Sequence, residues 1–197
     1  LELDPVAREA DWRIVYCGPP GGGKTSNLEH LHSVLAPETR GRFITPVPGS
    51  RRTFRFDFLS VDLGDIRGYR TRFHLYGLPA DVGGDGSRER LLRMADGIVL
   101  VLDSGAERAG ANRSAVRRLE EGLREVGRDP AGVEVVFQYN KRDLRDALPV
   151  PRMEEMLNPR GRPHLEAVAT RGAGVVPTIE EMGARVLDGF RPGGEAS

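Results

Sequence analysis

Lys24 and Thr25 close the run Gly18-Pro19-Pro20-Gly21-Gly22-Gly23-Lys24-Thr25, which fits the phosphate-binding pattern G-x-x-x-x-G-K-[ST] at every fixed position. The chemistry of such a run is anion capture. Backbone N–H groups of Gly21, Gly22 and Gly23 are expected to point inward at phosphate oxygens. The helix opening at Lys24, Thr25 and Ser26 adds the partial positive charge of its N-terminus. Lys24 is placed to neutralise the β- and γ-phosphates, and the Thr25 hydroxyl to ligate Mg²⁺. The flanks agree: Ile14-Val15-Tyr16-Cys17 reads as a buried strand, and Leu28, Leu31 and Leu35 recur at helical spacing. An ordinary glycine turn is the plainer alternative, which the length of the match disfavours.

Asn140-Lys141-Arg142-Asp143 chooses the base. The Asp143 carboxylate accepts two hydrogens, and guanine presents two on one edge through N1–H and its exocyclic amine. Adenine offers an acceptor there and would leave the carboxylate unpaired, which makes such a site discriminating. Asn140 is suited to bond guanine N7 and to tie its loop to the phosphate loop, while the Lys141 stem covers the base face. The tetrad follows the apolar strand Val133–Tyr139, at the carboxyl edge where open α/β sheets bind ligands. A surface turn is the alternative reading; the two motifs together favour a guanine nucleotide.

These loops need strands and helices to hold them. Trp12–Cys17 reads as the first strand, followed by a helix to about Leu35 and a long loop over 36–52 that carries Pro37, Pro46 and Pro48. Phe54, Phe56 and Phe58 alternate with Arg55 and Asp57, giving a strand with the phenylalanines on its apolar face. After the turn 64–68, Tyr69, Thr71, Phe73 and Leu75 alternate with Arg70, Arg72 and His74 as the return strand; His74 reads as a surface residue rather than a base. A second loop covers 77–86, and Ser87 is placed to cap a short helix with Leu91 and Leu92. Ile98–Leu102 is a continuous apolar run, as in a central strand covered on both faces. A charged amphipathic helix over 111–126, a short helix near 152–157, a strand over 165–169 and a helix over 176–190 complete the pattern. The expected fold is α/β: a P-loop NTPase or small G-protein fold with a mostly parallel six-stranded sheet, one antiparallel edge strand and helices on both faces.

Composition bounds the rest. The chain has 197 residues, read as one domain over 1–197 with loosely held tails at 1–11 and 191–197. Its 29 basic and 29 acidic side chains cancel, so no broad polyanion-binding or membrane-attracting surface is indicated. No apolar run approaches the ~20 residues of a membrane span, and no signal peptide is evident. The lone cysteine, Cys17, excludes an internal disulfide, fits a reducing cytoplasm and reads as a buried structural thiol.

From about Arg13 to Leu187 the chain resembles the small Ras-like GTPases, and among them the MglA-like gliding-motility GTPases of bacteria. The resemblance is carried by Gly18-Pro19, Gly23-Lys24-Thr25, Arg52-Thr53, Phe56-Asp57-Phe58-Leu59 and Thr71-Arg72-Phe73-His74-Leu75-Tyr76. It continues through Ala95-Asp96-Gly97-Ile98-Val99, Asn140 to Pro149, and Leu165-Glu166-Ala167-Val168-Ala169-Thr170. It implies a first switch over 36–53 ending in Thr53, which reaches Mg²⁺ and the γ-phosphate, and a second switch over 77–87. Val168 and Ala169 would back the guanine with main-chain N–H groups. Also implied are cycling between GTP and GDP, an activating protein of the Roadblock type, downstream effectors and a part in cell polarity.

The chain departs from that family in its second switch, where Ala80 and Asp81 stand in place of a Gly-Gln pair. The glycine N–H would hold the γ-phosphate and the glutamine would orient the attacking water. Ala80 keeps an N–H, but an ionised Asp81 donates no hydrogen bond and brings negative charge. Pro20 removes another N–H from the phosphate loop. Arg52 matches the arginine that such proteins contribute from their own first switch, although a solvated loop arginine is the competing reading. The usual second-switch aspartate is Gly77 here, so Asp57 is a candidate to hold the Mg²⁺ water shell; a surface aspartate is the plainer assignment. Slow GTP hydrolysis with Lys24, Arg52 and Asp81 as catalytic candidates is the expectation, against a hydrolysis-deficient interaction module or a phosphotransferase.

Overall fold

The structure is a computed structural model and describes residues 1–45, 56–78 and 86–190. Its strands are β1 (Glu2–Asp4), β2 (Glu9–Cys17), β3 (Asp57–Ile66), β4 (Tyr69–Gly77), β5 (Gly97–Asp103), β6 (Glu134–Asn140) and β7 (His164–Glu166). Its α-helices are α1 (Lys24–Val34), α2 (Ser87–Met94), α3 (Ala109–Glu125), α4 (Val150–Leu157) and α5 (Val175–Asp188). The strands form one sheet in the order β3-β4-β2-β5-β6-β7, parallel from β4 to β7, with β3 running antiparallel to β4. This is the small G-protein architecture.

Alternation along the central strands divides the core in two. Ile14, Tyr16, Val99 and Val101 meet Leu28 and Leu31 of α1 and Met182 and Val186 of α5. Val15, Cys17, Ile98, Leu100 and Leu102 face the other way, onto α2, α3 and α4 through Leu92, Leu119, Leu123 and Met153. Every residue of β5 is buried, as a strand covered on both faces requires. Cys17 lies in the second core, and burial pushes its thiol up to about 11 against the pull of Arg88 and Lys24.

Several expectations are corrected. The sheet has seven strands, because residues 1–11 are not a loose tail: Glu2–Asp4 pairs antiparallel with Glu9–Asp11, which lengthens β2 toward its N-terminus. All three β1 residues are exposed, so main-chain bonding rather than burial specifies the pairing. In β3 the inward face is Asp57, Leu59 and Val61, one residue out of phase with the phenylalanine face. Phe58 packs instead on the opposite face against His74 and Tyr76, with ring centroids 5.8 and 5.2 Å away. Part of the expected 36–52 loop borders the β3 edge, with bridges Arg40–Val61 and Ile44–Phe58. Ser87 lies inside α2, whose N-cap is Gly86. Residues 191–197 lie outside the described residues.

Candidate nucleotide site

β2 delivers the chain into residues 18–23 and α1 takes it away at Lys24. Two glycines are required by close approach. A Cβ on Gly18, at φ +140, would run into the Val101 carbonyl, and one on Gly23, at φ +106, into the Asn140 carboxamide. Gly21 faces open space, with nothing within 4 Å of where a Cβ would stand.

The carbonyls of this loop are held by side chains. Lys24 Nζ donates to Gly18 and Pro19 at 3.1 and 2.9 Å. Arg108 Nη2 donates to Pro20 at 2.6 Å, Asn140 Nδ2 to Gly22 at 2.8 Å, and Asn27 Nδ2 to Gly23 at 2.9 Å. Carbonyls held in this way fix the peptide units whose N–H groups can line an anion nest, apart from Gly22 N–H, which donates to Pro19 O at 3.2 Å and is not among them. The N–H groups of Lys24, Thr25 and Ser26 precede the first helical bond, Asn27 N to Gly23 O, so no helix carbonyl takes them. The cradle fits a polyphosphate.

Beside it, Asp57 is a buried carboxylate. Its Oδ2 accepts from the Thr25 hydroxyl at 2.6 Å and its Oδ1 from the Thr45 hydroxyl at 2.7 Å. The surface reading of Asp57 is therefore wrong. In the β3–β4 ladder Asp57 stands directly opposite Gly77. A Cβ on Gly77 would lie 2.9 Å from Asp57 Oδ2 and 3.2 Å from Leu28 Cδ1, so glycine at 77 leaves the room that Asp57 fills. Among the described residues no three His, Cys, Asp or Glu gather as a metal cage. One hydroxyl and one carboxylate beside a phosphate cradle nevertheless fit Mg²⁺, which keeps most of its ligands as water and phosphate oxygen.

The base-recognition loop follows β6. Asn140 is buried and spans two elements, donating to Gly22 O and accepting from Ala169 N at 2.9 Å. Lys141 adopts the left-handed conformation at φ 63 and donates through Nζ to Asp103 Oδ2 at 2.7 Å. Asp143 is exposed, with Arg171 Nη2 3.3 Å from its Oδ2. Of the residues expected to back the guanine, Val168 N–H donates to Ala173 O at 2.9 Å and Ala169 N–H to Asn140 Oδ1 at 2.9 Å. Both main-chain donors are spent on shaping the loop.

The structure thus brings Gly18, Gly21, Gly22, Gly23, Lys24, Thr25 and Ser26 together with Asn140 and Lys141 through the Asn140–Gly22 bond. Arg52, Thr53, Ala80 and Asp81 lie outside the described residues. Sequence reasoning missed Asp103, Arg108, Thr45 and the buried amides Asn27 and Gln138. Asp103 alone carried a signal, as the charged residue ending an apolar strand.

No family model matches the chain. It is 43% identical over 188 residues to the mutual gliding-motility protein MglA of Myxococcus xanthus, covering 95% of this chain and 96% of that protein. It is 30% identical over 155 residues to human ADP-ribosylation factor-like protein 4A, covering 74% of this chain and 66% of that protein, with the same figures for the mouse protein.

Proposed function

The chain belongs to the MglA family of small Ras-like GTPases, and from that premise we propose that it is a guanine-nucleotide switch with slow Mg²⁺-dependent GTP hydrolysis. The observation that carries this reading is the Asn140 carboxamide, bonded at once to the phosphate loop at Gly22 and to the loop at Ala169. It joins the phosphate and base ends into one cleft. Lys24 and the N–H groups of Gly21 and of residues 23–26 hold the β- and γ-phosphates, while Gly22 N–H closes the loop on Pro19 O at 3.2 Å; Asp143 reads the guanine edge. Thr25 and, from the first switch, Thr53 would hold Mg²⁺, and Asp57 would bond its water. Bound there, Mg²⁺ neutralises charge on the β- and γ-phosphates.

Arg52 stabilises the charge that develops as the γ-phosphate departs, a contribution of ~10³–10⁵ in rate for such arginines. Ala80 offers its N–H to the γ-phosphate. Asp81 replaces the side chain that would place water, so turnover is slow without an activating partner of the Roadblock type. Downstream effectors, work in the cytoplasm with recruitment to a cell pole, and a part in motility and polarity follow from the family. Among the described residues no helix is long and apolar enough to cross a membrane.

Pro20 and Asp81 favour one alternative, a hydrolysis-deficient module acting through protein contacts alone. Denaturing the purified protein is expected to release GDP or GTP. Single-turnover hydrolysis should then be slow alone and faster with a Roadblock-type partner. Bound nucleotide with no phosphate release in either condition makes the protein the module, and no guanine nucleotide under any condition overturns the reading.

A further inference from the structure

We infer that Asp103 and Arg108 form an ionic strap coupling the base-recognition loop to the phosphate loop, with both residues acting as positioning residues for the nucleotide. The inference rests on the site being a nucleotide site, and it adds a pair that neither binding motif contains.

Asp103 ends β5, beside Asn140 in the β5–β6 ladder. Its backbone is pinned by Asn112, whose carboxamide accepts from Asp103 N at 3.2 Å and donates to Asp103 O at 2.7 Å. The side chain is 4% exposed. Its Oδ1 accepts from Gly105 N at 3.0 Å, and its Oδ2 faces Lys141 Nζ at 2.7 Å and Arg108 Nε at 3.6 Å. One buried carboxylate thus sits between two cations. Burial of such a charge is tolerated only where pairing and hydrogen bonds are this complete.

Arg108 carries the connection onward. While its Nε faces Asp103, its Nη2 donates to Pro20 O at 2.6 Å. Lysine, with a single ammonium, would not reproduce both contacts with the same fork geometry. The chain Lys141–Asp103–Arg108–Pro20 therefore runs from the residue covering the base to the part of the phosphate loop that lacks an N–H. Proline removes a phosphate donor at that position, and Arg108 fixes its carbonyl, which holds the neighbouring peptide units in the nest. Loosening either end relaxes the other, so the nucleotide is released as a unit.

The test is a double-mutant cycle on dissociation of radiolabelled GDP from the full chain. Arg108→Ala is expected to speed release by about tenfold, the scale of one charge-assisted hydrogen bond. Arg108→Lys should restore part of this, because it keeps a cation at Pro20. Combining Arg108→Ala with Lys141→Ala should speed release by less than the product of the two single effects, since Asp103 links them. In an Asp103→Asn background the two effects should multiply independently. Melting of each variant without nucleotide separates loss of fold from loss of grip. Unchanged release from Arg108→Ala, or independent effects with Asp103 present, overturns the strap. A wild-type chain that holds no GDP overturns instead the nucleotide reading on which the strap rests.

Discussion

At the scale of single residues, Asp57 and Gly77 show how a glycine on one strand makes room for a buried carboxylate on the next. The two face each other across the β3–β4 ladder, and the Asp57 carboxylate reaches the Thr25 hydroxyl at 2.6 Å. Asp57→Asn keeps the shape and removes the charge. It is expected to raise the Mg²⁺ concentration needed to retain GDP by about 10- to 100-fold, the usual cost of losing a partner behind a metal ligand. Gly77→Asp alone should not restore it, because its Cβ crowds Asp57; the double variant Asp57→Gly with Gly77→Asp should recover part. A magnesium titration of GDP retention measures all three, and an unchanged titration for Asp57→Asn removes Asp57 from the site. The sequence offered Asp57 only as a candidate, because three phenylalanines spaced by two pointed to the wrong face. A short alternating run has two phases, and burial against α1 settled it. The bonds made by the Val168 and Ala169 N–H groups were illegible for a related reason: hydrogen bonds inside a turn leave no trace in residue type.

Elements were legible where side chains specify them. The continuous apolar run of β5 and the helical spacing in α3 are written in residue type, whereas β1 is three exposed residues held by main-chain bonds. Equally hidden was the polar linkage under the phosphate loop. Gln138 Nε2 donates to Asn27 Oδ1 at 2.8 Å and to Thr178 Oγ1 at 2.9 Å, and Asn27 Nδ2 donates to Gln138 Oε1 at 2.8 Å. These three fully buried residues join α1, β6 and α5, and Asn27 also holds the Gly23 carbonyl. Gln138→Leu preserves volume but leaves the Asn27 amide short of partners. It should cost about 1–3 kcal/mol in a urea melt. It should also weaken GDP retention, since Asn27 sits in the first turn of α1. A melt within error of the wild type would mean that the linkage contributes nothing net.

The whole molecule follows from the order of its strands. β2 is flanked by β4 and β5, and β5 by β6, so the loops leaving β2 and β6 emerge at the same edge of the sheet. That placement was legible from two motifs each following an apolar run, because parallel sheets align their carboxyl ends. One further property comes from where β2 ends. Cys17 is the chain's single sulfhydryl, directly beneath the phosphate-binding loop, and burial pushes its ionisation well up from the ordinary thiol range. The thiol is 3% exposed and held in its neutral form by burial, whereas the thiolate is the form that attacks an alkylating reagent. Alkylation therefore has to wait for β2 to part from α2 and α3, which makes this sulfur a built-in stopwatch for spontaneous opening. GDP at a hundred times its dissociation constant should slow that clock about a hundredfold if opening lets the nucleotide go. Mass spectrometry can time it with no label, probe or engineered reporter.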